Sequence, residues 1–139
     1  MELQSMTAKD CMNRNLVSVR PDDDVLAAVR VLVDNRISGV PVIDNIGNLL
    51  GIITEKDCMA IALSAGYHGQ MGGKVSDYMS REVTSVDSGT PVVEIAEHFA
   101  KRNFRRLPVL ESGRVVGVVS RRDVLWLLER RGQPDPDRA

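Results

Sequence analysis

Two halves of this chain carry nearly the same sequence. The segment Gly51–Asp57 recurs as Gly117–Asp123, and Pro41-Val42 recurs as Pro108-Val109. Further pairs of this kind precede them, so the chain consists of one unit written twice. Because two copies of one unit favour a two-fold-like pairing, we expect two equivalent clefts where the copies meet.

The composition indicates a soluble globular protein with an aliphatic core. Of the 139 residues, 43% are hydrophobic and only 4% are aromatic, so aliphatic side chains must fill the interior. A half of roughly 60 residues buries little apolar surface by itself, and we therefore expect the halves to share a core. The spacing of apolar residues predicts β-α-β-β-α in each half, an α+β (α/β) fold of two repeats packed with pseudo-two-fold symmetry.

The charge pattern excludes some functions. The net charge of −1 argues against a strongly basic nucleic-acid-binding protein, so we expect no nucleic-acid partner. Residues 1–70 carry a net charge of −3 and residues 71–139 one of +2, which favours an anion site in the second half. No stretch approaches ~20 apolar residues and no signal peptide begins the chain. We therefore expect no membrane partner and a cytoplasmic location.

No arrangement of side chains indicates a catalytic or metal centre. Cys11 and Cys58 form no CxxC pair and are predicted to be reduced thiols. His68 and His98 stand apart from each other and from the cysteines, unlike zinc ligands. No Ser-His-Asp or Cys-His pattern is present, so we predict neither an enzyme nor a metal site.

Turn-forming and glycine-rich stretches set the predicted boundaries. The predicted parts are repeat 1 at 7–64, a glycine-rich linker at 65–74, repeat 2 at 75–132 and a disordered tail at 133–139. Each repeat is predicted to contain a short first strand, at Leu16–Val19 and Val83–Val86. The leader at residues 1–9 either packs loosely or crosses to the other half. Thr90 is predicted to cap the helix that follows it.

The element with the most chemical content is a Thr or Ser followed three residues later by Asp, where a strand ends and a helix begins. This pattern closely resembles a capping box, which by itself needs no ligand. It occurs in both halves, however, and a helix N-terminus with the hydroxyls of Thr54 and Ser120 suits phosphate. Asp57 and Asp123 can accept hydrogen bonds from ribose hydroxyls. Capping and ligand binding are compatible, because one carboxylate can cap the helix when the site is empty and accept ribose hydroxyls when a ligand binds.

In their order along the chain and in their duplication, these motifs resemble a tandem pair of cystathionine-β-synthase (CBS) domains, the Bateman module. The resemblance extends from about Thr7 to Arg131. The motifs that carry it are Asp10-x-Met12, Leu16–Val19 with Pro21, Ile37–Asp44 and Gly51–Asp57, with the counterparts Phe104–Glu111 and Gly117–Asp123.

The resemblance implies a regulatory module that binds an adenosine-containing ligand in the clefts between its repeats. The ligands it implies are AMP, ADP, ATP, NAD or S-adenosylmethionine. It further implies that the Asp holds ribose, that the Thr or Ser reaches phosphate, and that adenine lies in an apolar slot read by backbone groups. The implied binding residues are Ser18, Ser38, Gly39, Val40, Pro41, Thr54 and Asp57 in repeat 1, and Thr84, Ser85, Arg105, Arg106, Leu107, Pro108, Ser120 and Asp123 in repeat 2.

The second repeat has Arg105 and Arg106 where the first has Ser38 and Gly39. We expect these arginines either to clamp phosphates or to lie in a solvated loop. The resemblance also implies a homodimer and an unidentified regulated protein. Trp126 is expected to pack in the core or, alternatively, at the dimer interface. The alternative to ligand binding is a ligand-free module for protein–protein interaction or dimerisation.

Overall fold

The computed structural model describes residues 2–68 and 72–130 and divides into two compact units. Unit 1 contains the chain up to Leu16 and from Thr84 onward, and unit 2 contains Val17–Val83. The leading segment of each sequence repeat therefore belongs to the unit formed mainly by the other repeat. Of the two alternatives for the N-terminal leader, loose packing or crossing to the other half, the structure shows the crossing. No sequence signal predicts the corresponding crossing of residues 75–83.

The helices and strands confirm the predicted α+β class. In chain order they are α1 (Ala8–Cys11), α2 (Val25–Asn35), β1 (Gly39–Ile43), β2 (Leu49–Thr54), α3 (Glu55–His68), α4 (Val75–Tyr78), β3 (Val86–Asp87), α5 (Val92–Lys101), β4 (Arg106–Glu111), β5 (Arg114–Ser120) and α6 (Arg121–Glu129). An antiparallel hairpin lies between two longer helices in each unit, as β1–β2 in unit 2 and as β4–β5 in unit 1.

The first strand of each repeat is shorter than the predicted ranges 16–19 and 83–86. In unit 1 this strand is reduced to the two residues of β3, which pair in parallel with β4. The sheet order is β3-β4-β5. In unit 2 the equivalent feature is a single parallel bridge between Val19 and Val42. The prediction of four-residue strands was wrong, because an edge segment has one neighbour and pairs only where it runs alongside that neighbour.

Helix α3 is longer than predicted. It continues through residues 65–68, the beginning of the predicted linker at 65–74. Alanines on this helix are strong helix formers and outweigh the cost of Gly66. Helix α6 ends at Glu129, within the predicted range 75–132 of repeat 2. Gly132 and the predicted tail at 133–139 lie outside the described residues.

Helices α2 and α5, which occupy equivalent places in the two repeats, begin differently. Asp24 caps α2, and its carboxylate accepts the N–H of Leu26 at 2.9 Å, as expected for an acidic residue at a helix start. The prediction that Thr90 caps α5 was wrong, because Pro91 occupies the N-cap position. The hydroxyl of Thr90 instead accepts the N–H of Asp87 at 3.0 Å, since threonine hydroxyls also bond locally within turns.

Each unit has its own buried cluster, rather than the single shared core expected from the chain length. In unit 1, Met6, Ala8 and Cys11 are fully buried in a cluster that includes Leu127 of α6. In unit 2, Val75 of the second repeat is fully buried among residues of the first. The crossing segments thus supply apolar surface that each repeat lacks by itself.

Two glycines allow the crossing segments to run close over a strand. Asn13 and Val118 exchange backbone hydrogen bonds of 2.8 and 3.1 Å in unit 1. A Cβ added at Gly117 would lie 2.8 Å from the carbonyl oxygen of Asn13. In unit 2 a Cβ added at Gly51 would lie only 2.5 Å from the carbonyl oxygen of Ser80. Both distances are shorter than real Cβ contacts, so only glycine fits at either position.

Gly66 offers a test of helix propensity in α3. Gly66→Ala is expected to raise the free energy of unfolding by roughly 0.5–1 kcal/mol, because alanine has the higher helix propensity. No atom lies within 4 Å of the added Cβ. Urea denaturation measures the change. Gly113→Ala is the control, since Gly113 is equally open but has a φ of +80°, and it should lose stability. A loss at Gly66 would contradict the prediction.

Candidate functional site

The Thr/Ser-x-x-Asp element forms the same hydrogen-bonded box in both units. In unit 2 the Oδ2 atom of Asp57 accepts the N–H and the hydroxyl of Thr54, both at 2.9 Å, and the Asp57 N–H donates to Oγ1 of Thr54 at 3.2 Å. In unit 1 Asp123 accepts the N–H and hydroxyl of Ser120 at 2.7 and 2.9 Å, and the reverse bond measures 3.2 Å. The capping interpretation is therefore confirmed in both repeats.

The hydrogen bonds of the box use hydroxyl and carboxylate groups that a ligand would also need. A hydroxyl has one proton to donate, and Thr54 and Ser120 each donate theirs to the aspartate. The N–H of Glu55, the first residue of α3, donates to the carbonyl oxygen of Ser38 at 2.9 Å. Either hydroxyl can therefore donate to a phosphate only after it releases its aspartate, which would free the carboxylate for a ribose at the same moment.

The two aspartates differ in accessibility. Asp57 is partly exposed, whereas Asp123 is only 6% exposed. An ionised carboxylate offers about four acceptor positions, and the box occupies two of those on Asp57. The first box is therefore the more open of the two to a ligand.

The structure brings the predicted residues of repeat 1 together within unit 2. The hairpin register places Gly39 opposite Thr54. The N–H of Val19, the neighbour of Ser18, donates to the carbonyl oxygen of Pro41 at 3.1 Å. Val40 is fully buried, so neither its side chain nor its backbone is open to a ligand. Ser18, Ser38, Gly39, Val40, Pro41, Thr54 and Asp57 thus lie around one strand–helix junction.

The predicted residues of repeat 2 are arranged in the same way within unit 1. The register places Arg106 opposite Ser120 in the hairpin and Val86 opposite Val109 along β3. Leu107 is 1% exposed and, like Val40, is closed to a ligand. Thr84 and Ser85 directly precede β3 and are partly exposed, and Pro108 is buried in β4.

Arg106 is the main chemical difference between the two junctions. Its Nε atom is buried and has no hydrogen-bond partner among the described residues. Burial, with a smaller contribution from the neighbouring Arg105, lowers the pKa of Arg106 below its ordinary value. A buried donor without a partner costs about 1–3 kcal/mol, so an anion at this position would be stabilised. Gly39 takes the equivalent place in unit 2 and offers no cation.

Arg121 has a positioning role that the sequence interpretation missed. Its Nε donates to the carbonyl oxygen of Phe104 at 2.7 Å, and its terminal nitrogen donates to Oδ1 of Asn103 at 3.3 Å. These bonds hold the loop that leads to Arg105 and Arg106. No local pattern in the sequence identifies a loop 17 residues earlier as the partner of Arg121.

Cys11 and Cys58 are both buried thiols. Burial chiefly, and then Asp57 and Glu55, raise the pKa of the Cys58 thiol, so it stays protonated at neutral pH. The described residues include no group of three His, Cys, Asp or Glu side chains suited to a metal ion. Within the described ranges, no helix has both the length and the hydropathy of a transmembrane segment.

Comparisons with known proteins match this doubled architecture. A family model described as "CBS domain" matches residues 8–64 and 75–130. A CBS domain-containing protein of Dictyostelium discoideum is 33% identical over 138 residues, which span 92% of this chain and 94% of that protein. The chain spans only 42% and 25% of two other relatives, an uncharacterized protein and an inosine-5′-monophosphate dehydrogenase, both of Methanocaldococcus jannaschii.

Two solved structures resemble the chain over nearly its whole length. CBSX2 of Arabidopsis thaliana in complex with AMP is 28% identical, with a TM-score of 0.80, and the match covers 92% of this chain and 99% of that one. The CBS domain pair of protein MJ0100 in complex with 5′-methylthioadenosine and S-adenosyl-L-methionine is 26% identical, with a TM-score of 0.72 and coverage of 91% and 98%.

Proposed function

Because the chain belongs to the CBS domain family, with one CBS domain in each sequence repeat, we propose that it is a regulatory module that binds adenosine-containing ligands. The observation that carries the proposal is the duplicated Thr/Ser-x-x-Asp box, in a chain that resembles a CBS pair in complex with AMP over 92% of its length. We assign it no catalytic role, and we propose a cytoplasmic location and an unidentified regulated protein as its partner.

In the proposed mode, each box changes partners when the ligand binds. The ribose hydroxyls donate to the carboxylate of Asp57 or Asp123, and the released hydroxyl of Thr54 or Ser120 donates to the phosphate. Adenine is held by backbone groups at the start of β1 or β4. The ligand shifts the protein between two states only through its different affinity for them, and the exchange of hydrogen bonds supplies such a difference.

Arg106 makes the second site the better phosphate site in this proposal. Arg106→Met is expected to weaken AMP binding at that site about tenfold or more, because a charge-assisted hydrogen bond contributes about 1.5–3 kcal/mol. Adenosine, which has no phosphate, should lose little affinity. Arg105→Met is the matched control, since Arg105 is exposed, and its effect should be smaller. Calorimetric titrations with AMP and adenosine measure both, and equal losses for the two ligands would contradict the assignment.

Direct titration tests the function itself. Wild-type protein is titrated calorimetrically with AMP, ADP, ATP, NAD, S-adenosylmethionine and 5′-methylthioadenosine, and small molecules released from the purified protein are identified by mass spectrometry. At least one adenosine compound should bind with micromolar or tighter affinity. If none binds and none is released, the proposal fails.

A ligand-free interaction module is the second candidate. It is favoured by the boxes, which are complete hydrogen-bonded caps without a ligand, and by the low exposure of Asp123. A thermal melt separates the two functions, because a ligand that binds only the folded state raises the midpoint with its concentration. A midpoint unaffected by millimolar adenosine compounds would support the interaction module.

We also propose that the chain pairs with a second copy of itself. Apolar side chains on α6 are exposed to solvent, with Leu125 62% and Leu128 54% exposed. Exposed apolar surface of this kind is typical of an interaction site.

A further inference from the structure

We infer that the two sites of the proposed function take different classes of adenosine compound, and that one cross-strand pair in each hairpin decides the class. The pair Gly39–Thr54 makes the first site, in unit 2, favour compounds without a phosphate. The pair Arg106–Ser120 makes the second site, in unit 1, favour phosphorylated compounds. This division of ligands rests on the proposed binding of adenosine compounds and adds a ligand class for each site.

The two pairs occupy equivalent positions in the two hairpins. The register places Gly39 opposite Thr54 where β1 begins and β2 ends, and it places Arg106 opposite Ser120 where β4 begins and β5 ends. In both units the helix that carries the aspartate of the box starts at the next residue. Each pair therefore lies directly beside the hydroxyl and the carboxylate that the ligand is proposed to use.

Side-chain volume is exchanged within each pair. A Cβ added at Gly39 would lie 3.3 Å from the Cγ2 methyl of Thr54, so this methyl fills part of the space that a side chain on β1 would need. Serine has no such methyl, and Ser120 stands opposite the long side chain of Arg106. Because protein interiors are close-packed, glycine suits threonine at these positions and arginine suits serine.

The charges around the two sites differ in the same sense. At the first site Glu55 and Lys56 offset each other, and Asp57 leaves a net charge of −1. At the second site four arginines and one aspartate leave a net charge of +3. These arginines are Arg105, Arg106, Arg121 and Arg122. A phosphate monoester carries about −1.5 to −2 charges at neutral pH, so the second site attracts it and the first site does not.

Arg106 contributes more than its charge at the second site. Its Nε atom is buried and has no hydrogen-bond partner in the described part of the chain. A guanidinium donates to phosphate oxygens from a rigid, planar set of N–H groups. A phosphate would therefore satisfy a donor that the folded chain leaves unsatisfied, whereas adenosine brings no anion to this position.

A phosphate gains little at the first site. The hydroxyl of Thr54 can donate one hydrogen bond to it, but the exposed carboxylate of Glu55, the next residue, opposes its charge. The ribose hydroxyls bind Asp57 in the same way whether or not the compound carries a phosphate. The first site is therefore expected to bind adenosine or 5′-methylthioadenosine at least as tightly as AMP.

The amide signals of Thr54 and Ser120 report on the two sites separately. Each N–H donates to the aspartate of its box, at 2.9 and 2.7 Å, so a ligand at either box should shift the resonance of its own amide. Titrations of isotope-labelled wild-type protein with adenosine, 5′-methylthioadenosine and AMP, followed by NMR, give a dissociation constant at each site. The ratio of the adenosine constant to the AMP constant should be about one or less at Thr54 and about ten or more at Ser120.

An exchange of the pairs tests whether they decide the class. Gly39→Arg with Thr54→Ser builds the second pair into the first site, and the ratio at position 54 should rise about tenfold. Gly39→Met with Thr54→Ser is the matched control, since it fills the same space without a charge, and it should leave the ratio near one. The reverse exchange, Arg106→Gly with Ser120→Thr, should remove the preference for AMP at position 120.

The outcomes distinguish a wrong ligand class from a wrong function. If both amides respond and the two ratios are equal in the wild-type protein, adenosine binding stands and the assignment of classes is overturned. Ratios that differ but do not follow the exchanged pairs overturn these pairs as the determinant. If neither amide responds to any of the three compounds, the proposed function itself fails. Circular dichroism checks the folding of each variant, and either exchange alone decides the question if the other variant does not fold.

Discussion

Gly51→Ala is expected to lower the free energy of unfolding by about 1–3 kcal/mol, the usual cost of forcing extra atoms into a packed region. The added Cβ would lie 2.5 Å from the carbonyl oxygen of Ser80 and 3.0 Å from the sulfur of Met79. A methionine side chain can move aside. The carbonyl cannot, because Ser80 is held by backbone hydrogen bonds of 2.8 and 2.9 Å to Ile52. Relief therefore requires the crossing segment to lift from β2.

Gly117→Ala is expected to act in the same way in unit 1, with a smaller loss because its nearest contact is 2.8 Å rather than 2.5 Å. Thermal and urea denaturation followed by circular dichroism measure both variants. Gly89→Ala is the matched control, since no atom lies within 4 Å of a Cβ there, and it should change stability by less than about 0.5 kcal/mol. Variants at positions 51 and 117 that are as stable as the control would show that the crossing segments are not held as described.

Asp57→Ala is expected to weaken AMP binding at the first site at least about tenfold, because a carboxylate that accepts ribose hydroxyls contributes about 1.5–3 kcal/mol. The same change also removes the carboxylate half of the capping box of α3 and should cost about 0.5–2 kcal/mol of stability. Asp24→Ala separates the two effects. Asp24 caps α2 in the same unit through Leu26, so its loss should lower stability by a similar amount and leave AMP affinity unchanged.

A ligand without ribose hydroxyls sharpens this test. The wild-type protein should bind AMP more tightly than its 2′,3′-dideoxy analogue, and Asp57→Ala should lose that preference. Calorimetry on both ligands gives the two affinities. Unchanged AMP affinity in the variant, or a preference for the ribose hydroxyls that survives it, would show that Asp57 only caps α3.

Local patterns predicted the elements that depend on local interactions. The hairpin of unit 1 turns at Ser112 and Gly113, both with positive φ, and this turn is visible in the sequence. The acidic run 22–24 favours a helix start at this point, and Asp24 is the N-cap of α2. Thr90 failed as a cap because a second nearby N–H, that of Asp87, competes for the same hydroxyl. Residues 16–18 failed as a strand because pairing depends on where a distant hairpin ends.

The residues of the candidate site could be predicted from the sequence, but their exposure and their hydrogen-bond partners could not. The spacing of Thr54 and Asp57 is sufficient to predict a hydrogen-bonded box. The sequence does not show that Asp123 is nearly covered while Asp57 stays partly exposed, because that difference depends on packing around each helix. It also does not show that the Nε atom of Arg106 is buried without a partner, or that Arg121 bonds back to Phe104.

The crossing of the leading segments also bears on how such a chain could arise. A solitary repeat would lack the buried side chains that Met6 and Val75 supply here, and it could obtain them only by exchanging its leading segment with another molecule. Gene duplication and fusion would convert that exchange into an event within one polypeptide, independent of protein concentration. Neither repeat is then a self-sufficient folding unit, and a fragment cut at the repeat boundary would be expected to dimerise or aggregate.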